Sequence, residues 1–347
     1  MKILQVGLGN FGRNHLKAWA ELGLTGDLYL ADLATTEAAR EWARYNLPAD
    51  RVVADYRKIL DRVDVVDVVT PSDSHYAICR EALARGKDVF VEKPMVMTSE
   101  EAVALAHDVQ QGRRILQVGY YYRFHPISAL AKEAVDGGRL GELRYLSGRF
   151  MGFKRPRRDV GVTHTDGIHF LDLFNWLLGS HPREVYAVTR DHFGRGLEDF
   201  SMVICHYPGG QVATVESGYI QPGQWKDKVV PNALTTKEIA VVGSRATLEV
   251  DFEIERVTLH DVHHELKEGA WAVVHGGATT PLLPPASPVD QIGQELRAFL
   301  RSVETRQEPG ANVVDSGLML ASLMEAIYAS ARARTEVTVP YPNSKRG

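Results

Sequence analysis

The chain has 347 residues, 44% of them apolar and 24% charged, with a formal net charge of −4. That exceeds one ordinary hydrophobic core, so two domains are expected, and the mild acidity argues against nucleic acid or a membrane surface as the main partner. Two cysteines far apart, Cys79 and Cys205, exclude a disulfide framework, no apolar run reaches the roughly 20 residues of a membrane span, and Met1-Lys2-Ile3-Leu4 is no signal peptide, so a cytoplasmic protein is expected.

Ile3-Leu4-Gln5-Val6 reads as a strand, followed by Gly7-Leu8-Gly9-Asn10-Phe11-Gly12 and an amphipathic helix through about Leu22. A G-x-G-x-x-G run between a strand and a helix brings backbone close to a pyrophosphate and aims helix N–H groups at it. Gly7, Gly9, Asn10, Phe11 and Gly12 are therefore candidate dinucleotide contacts. A second strand, Leu28 to Ala31, ends in Asp32, twenty residues after Gly12. An acid there accepts hydrogen bonds from the ribose hydroxyls and repels a 2′-phosphate. No Arg or Lys follows until Arg40, which favours NAD over NADP.

The alternation continues with a helix from Glu37 to Tyr45, a short strand Arg51 to Val53, and a strand from Val63 to Val69 ending at Thr70-Pro71. A helix from Asp73 to Arg85 precedes Asp88-Val89-Phe90-Val91-Glu92-Lys93-Pro94, an apolar run that delivers Glu92 and Lys93 off its carboxyl end. Ligands of open α/β sheets bind outside those ends, and Pro94 holds Lys93 extended. Ser99 is the expected cap of a helix to about Gln111, and Ile115 to Val118 completes a doubly wound parallel sheet.

Together, Gly7-x-Gly9-x-x-Gly12, Thr70-Pro71-x-x-x-His75, Gly86-Lys87-x-Val89-Phe90-Val91-Glu92-Lys93-Pro94 and Gly119-x-x-x-Arg123-Phe124-x-Pro126 resemble the glucose-fructose oxidoreductase / inositol dehydrogenase / MocA family. The resemblance implies a Rossmann domain (residues 1–120) and then an α+β domain with a large, mostly antiparallel sheet (residues 121–347). It implies NAD or NADP in the crevice, with Thr70, Pro71, His75, Glu92 and Lys93 among the cofactor contacts. Hydride would pass between nicotinamide and a sugar, polyol or sugar derivative, in a homo-oligomer such as a dimer or tetramer.

Beyond Gly119 the period changes. A helix from Ile127 to Val135 leads into strands at Leu143–Arg149, Glu184–Thr189, Phe200–His206, Gln211–Ser217, Ile239–Val242 and Thr247–Val250, read as a meander. Gly276 to Pro288 reads as a long loop, and helices at Val289–Glu304 and Val314–Arg332 end the chain.

The chemical stretch of this half is Thr163-His164-Thr165-Asp166-Gly167-Ile168-His169-Phe170-Leu171-Asp172, with a helix starting near Asp166 and ending at Leu178. The resemblance implies an Asp four residues before an active-site histidine, which matches His169. Thr165 holds that place here and the acid is one position on, at Asp166, which substitutes for it only if the helix start is irregular. His169 begins near the pKa a general base needs, and Lys93 would hydrogen-bond the reacting oxygen; the reverse split stays open. The resemblance puts Arg123 near the substrate, with a structural salt bridge as the alternative. Tyr122 could stack on a sugar ring, and His164 is a further substrate candidate. Lys154 and Arg155, in the run Lys154-Arg155-Pro156-Arg157-Arg158, would hold a diphosphate or a carboxylate, or form a solvated face. No metal is expected, since His263-His264 lacks further ligands at diagnostic spacing. Two other functions fit the same sequence: NAD-dependent glycoside cleavage, and a non-catalytic dinucleotide-sensing regulator.

Overall fold

The computed structural model describes residues 1–342 except Asn46, Pro231 and Pro284. The chain forms two compact units, residues 1–124 with 287–321, and residues 125–286 with 322–347. The sequence reading divides the chain once, after residue 120; the compact units divide it so that a later segment returns to the first.

The first unit opens with β1 (Ile3–Val6), α1 (Asn10–Glu21), β2 (Leu28–Ala31), α2 (Thr35–Ala43) and β3 (Val52–Val53). It continues with β4 (Val65–Val68), α3 (His75–Ala84), β5 (Asp88–Glu92), α4 (Ser99–Gly112) and β6 (Leu116–Gly119). These strands form one parallel sheet in the order β3-β2-β1-β4-β5-β6, so the order reverses between β1 and β4. Every residue of β1, β4 and β5 is buried, as expected of strands covered on both faces. The cap of α4 is Thr98 rather than Ser99: Thr98 Oγ1 accepts the Glu101 N–H at 3.2 Å, and Glu101 Oε2 accepts the Thr98 N–H at 3.3 Å. Glu101 stands three residues after Thr98, the spacing that closes a capping box.

The second unit begins with α5 (Pro126–Asp136) and β7 (Leu143–Phe153). A π-helical turn, Thr163–Gly167, runs into α6 (Ile168–Leu178). Then come β8 (Glu184–Arg190), β9 (Phe200–His206), β10 (Val212–Gly218), β11 (Trp225–Lys226), β12 (Leu234–Gly243), β13 (Thr247–Asp251), β14 (Arg256–Lys267) and β15 (Ala270–Thr279). The sheet is not a simple meander: its order is β15-β14-β13-β12-β7-β10-β9-β8, with β7 parallel to β10 and antiparallel to β12. The α6 helix lies close on this sheet at Gly148, where a Cβ would stand 2.8 Å from the Phe170 ring. Gly276–Thr279 belongs to β15, so the expected loop is shorter at its start; Pro284 within it lies outside the described residues.

α7 (Pro288–Thr305) and the π-helical segment Val313–Leu318 belong to the first unit. Phe299 of α7 meets Phe90 edge-on at 5.7 Å, and Arg306 Nη1 donates to both carboxylate oxygens of Asp88 at 2.9 and 2.8 Å. α8 (Met319–Ala333) follows, and the short β16 (Val337–Thr338) pairs with β8. Val313–Ala333 is the one stretch among the described residues long and apolar enough to cross a membrane by length and composition, and most of its apolar window is buried inside the fold.

Candidate active-site residues

In the first unit the glycine loop is built for close approach. Gly7 has φ +101°, and a Cβ there would meet the Val69 carbonyl oxygen at 2.5 Å; one on Gly12 would meet the Gly7 carbonyl oxygen at 2.5 Å. The Gln5 side-chain amide braces the loop, donating to the carbonyls of Gly7 (2.9 Å) and Gly12 (2.8 Å). Gly9 differs: nothing lies within 4 Å of a Cβ placed there. It is the N-cap of α1 and no side chain caps that end, so the first-turn N–H groups, Asn10 and Phe11 among them, face open space that suits a diphosphate.

Asp32 is held rigidly at the end of β2. Its Oδ2 accepts the Leu8 N–H at 2.6 Å and its Oδ1 the Ala34 N–H at 2.7 Å, which leaves lone pairs on both oxygens for ribose hydroxyls. These residues fit a dinucleotide, and NAD supplies a hydride acceptor when bound.

The ends of β4 and β5 are tied together by His75. Its ring nitrogens lie 2.8 Å from the Pro94 carbonyl oxygen and 3.0 Å from that of Thr70. His75 thus braces the loops carrying Thr70, exposed Pro71 and Lys93. Lys93 is half-buried, followed by a cis peptide to Pro94. Glu92 is buried, and its Oε2 accepts the Lys93 main-chain N–H at 3.2 Å. Arg123 donates to the Gly310 carbonyl at 2.8 Å, and Tyr122 is buried with its ring centroid 4.6 Å from that of Tyr121.

A cluster absent from the sequence reading lies beneath. His15 of α1 is fully buried, with Nδ1 3.0 Å from Asp67 Oδ2 and Nε2 3.3 Å from Glu92 Oε1. Burial alone lowers the pKa of this ring, but the charge and hydrogen bond of Asp67, then those of Glu92, outweigh it and raise the value to about 10. The signal was the histidine three residues past the last glycine, but its partners stand 52 and 77 residues away.

In the second unit the start of the helix is irregular, a π-helical turn, and His164, Asp166 and His169 are buried. Asp166 Oδ1 accepts from Lys154 Nζ at 2.6 Å, and both side chains are nearly sealed from solvent, at 3% and 7% exposure. Asp166 Oδ2 is buried with no hydrogen-bond partner among the described residues, and so can accept a hydroxyl. The Thr165 hydroxyl gives its proton to the Gly161 carbonyl at 2.7 Å. Arg155 is exposed, and Arg157 is paired with Asp159.

Phe150 of β7 is the floor of this group. His169 stacks beside it at 6.3 Å, and Lys154 Nζ stands 4.4 Å from its centroid. A second ammonium, Lys237 Nζ of β12, lies 5.1 Å from the same ring because Lys237 pairs directly with Phe150 across the strands. Lys237 is buried between Asp227 (3.0 Å) and Glu253 (2.6 Å). Burial works to raise the Asp227 pKa, but Lys237 and the Val229 and Val230 N–H groups bring it below the ordinary value. Tyr219 stands 5.7 Å from Lys154 Nζ, and burial followed by the Asp166 charge keeps its phenol protonated.

His164 heads a separate chain. Its Nδ1 lies 2.9 Å from the Tyr328 hydroxyl, which donates to Glu198 Oε1 at 2.7 Å. A carboxylate only accepts, so the tyrosine proton goes to Glu198 and His164 donates through Nδ1. Among the described residues no group of three or more His, Cys, Asp or Glu side chains is arranged to hold a metal.

Residues 1–120 match the family model described as "Oxidoreductase family, NAD-binding Rossmann fold", and residues 128–249 that of the "GFO/IDH/MocA C-terminal domain". The chain is 30% identical over 227 residues to the rhizopine catabolism protein MocA of Rhizobium meliloti, covering 61% of this chain and 69% of that one. It is 31% identical over 186 residues to the UDP-N-acetylglucosamine 3-dehydrogenase of Acidithiobacillus ferrooxidans, covering 53% of this chain and only 56% of that protein's length. In fold it is similar to a levoglucosan dehydrogenase solved with NADH, at TM-score 0.83 and 20% identity over 99% of this chain and all (100%) of that one. Both family models match, the first with the Rossmann architecture it names, and this chain belongs to the Gfo/Idh/MocA oxidoreductase family, with an NAD-binding Rossmann domain leading.

Proposed function

We propose that this protein is an NAD-dependent dehydrogenase exchanging hydride with a secondary hydroxyl or ketone of a sugar or polyol. One observation carries the reading: the second unit buries His169 and Asp166 on a single π-to-α turn, with the second Asp166 carboxylate oxygen lacking a hydrogen-bond partner among the described residues. The inositol and nucleotide-sugar dehydrogenases among its relatives support the same class. Asp32, with both oxygens already fixed by backbone N–H groups, selects NAD over NADP.

In the proposed mechanism His169 takes the hydroxyl proton, imidazole being the side chain that most often serves as a general base. Lys93 hydrogen-bonds the reacting oxygen and stabilises its alkoxide character, a contribution of a few kcal/mol, roughly that of one oxyanion donor. Asp166 receives a substrate hydroxyl on Oδ2, while Lys154 holds Oδ1 and fixes the carboxylate's orientation. Lys154 and Arg157 are both paired with carboxylates of their own unit, which supports a neutral free sugar or polyol over a nucleotide diphosphate sugar.

The test is NADH fluorescence with NAD and a panel of polyols, free sugars and nucleotide-sugars, with Lys93→Ala as control. Turnover should vanish in the variant while NAD affinity stays within about threefold, since transition-state contacts leave ground-state binding largely untouched. Equal loss of both would sink the assignment of Lys93. We also read the protein as a cytoplasmic homo-oligomer, supported by the exposed apolar side chains Leu266, Trp271 and Val273 on β14 and β15. A monomer in sedimentation velocity, or a secreted fraction in cells, would oppose that reading.

A further inference from the structure

The Asp67–His15–Glu92 cluster has a chemistry that its burial alone does not explain. Both ring nitrogens of His15 face carboxylate oxygens, which can only accept, so both must carry hydrogens and the ring is an imidazolium. Phe11 and Phe90 wall it in at 5.4 and 5.7 Å, and Trp19 Nε1 donates to Asp67 at 2.8 Å. One cation and two carboxylates leave a net charge of −1 in a dry environment.

The cluster ends at Glu92, on the carboxyl end of β5. Its Oε1 receives His15 and its Oε2 receives the main-chain N–H of Lys93. Gly119 on β6 makes room for the carboxylate: a Cβ there would stand 2.5 Å from Glu92 Oε1. The residue before Lys93 is therefore seated from two sides.

The sheet order places this end with respect to the dinucleotide. The diphosphate cradle lies at Gly9, the ribose acceptor Asp32 lies on the β2 side, and the order reverses between β1 and β4. A dinucleotide laid across that reversal carries its other half over the ends of β4 and β5. That half is the nicotinamide, a cation when oxidised and neutral when reduced.

We propose that His15, clamped as an imidazolium between Asp67 and Glu92, is a positioning residue for Lys93, and that the negative charge of the cluster favours bound NAD in its oxidised form. This rests on the hydride-transfer reading above. The Lys93 ammonium, the nearest cation along the chain, is the same in wild type and in the variants below, so it does not confuse the comparison.

The experiment measures dissociation constants of NAD⁺ and NADH for the full-length wild type, Glu92→Gln and Glu92→Asp. Glu92→Gln removes the charge, and the ratio Kd(NAD⁺)/Kd(NADH) should rise about tenfold, the order expected for one charge at an effective dielectric near 20. Glu92→Asp keeps the charge but withdraws the carboxylate, so the ratio should hold within about twofold while kcat falls about tenfold or more. Equal changes in both constants for Glu92→Gln would mean a structural role only and overturn the proposal.

A second measurement needs no folded variant of the cluster: nitrogen NMR of the ¹⁵N-histidine-labelled wild type at pH 8. Both nitrogens of His15 should report as protonated; a neutral ring overturns the proposal. If the wild type binds neither NAD⁺ nor NADH, the dinucleotide reading falls and this proposal with it. If both bind and the ratio ignores Glu92→Gln, this proposal falls alone.

Discussion

Removing one partner of the Lys154–Asp166 pair should be costly out of proportion to its size. The two atoms are 2.6 Å apart, and at an effective dielectric of about 20 their raw attraction is about 6 kcal/mol. Desolvation offsets much of that, so the pair adds little net stability, but breaking it strands a buried charge. Lys154→Met should therefore cost about 3–5 kcal/mol, and Asp166→Asn a similar amount. The double variant leaves neither charge alone, so it should cost less than the sum of the singles, with a coupling of at least about 2 kcal/mol. Urea titration followed by hydrogen exchange on the α6 peptide reads the second unit directly. Additivity within about 0.5 kcal/mol would refute the argument, because independent sites add to that margin.

Two glycines of one loop should respond oppositely. Gly9→Ala meets no protein atom within 4 Å, so thermal stability should hold within about 0.5 kcal/mol while NAD binding is lost. Gly12→Ala drives a Cβ to 2.5 Å from the Gly7 carbonyl oxygen and should destabilise the first unit by about 1–3 kcal/mol, read by its melting temperature. His125, the N-cap of α5, accepts the Ile127 N–H at 3.2 Å, and burial, partly opposed by Glu255, lowers its pKa to about 4. Its folded value lies below the unfolded one of about 6.5, so the unfolded chain binds more protons between those limits. Stability should fall by about 3 kcal/mol as pH drops through that window. His125→Asn replaces the capping ring nitrogen with a non-titrating amide oxygen and should flatten the slope; a slope unchanged in that variant would refute the assignment.

What the sequence disclosed follows from how far each interaction reaches. The glycine loop, Asp32 and the strand bearing Glu92 and Lys93 are local patterns with fixed spacing, and they were readable at once. The His15 cluster was not, because α1, β4 and β5 meet only when the sheet closes. The same holds for Lys237, which reaches Phe150 through pairing of β12 with β7, and whose acids Asp227 and Glu253 lie on other segments. Strands β14 and β15 escaped for another reason. The far end of β14 past His263 is exposed on both faces, so His264, Glu265 and Lys267 carry no alternation of apolar and polar residues. The displaced acid was legible as a departure, but only the π-helical turn and Lys154 gave it a place.

The return of residues 287–321 to the first unit sets an order of events during synthesis. Phe90 has no Phe299 against it, Asp88 lacks Arg306, and the Val118 N–H lacks the Ala311 carbonyl that it meets at 2.9 Å, until those late residues leave the ribosome. Domains usually fold in the order they are made; here the unit begun first is completed only after all of residues 125–286 has emerged. A graft that moves this nucleotide-binding unit onto another partner must therefore carry two separate stretches of chain, because residues 1–124 alone would expose the apolar surface that α7 covers.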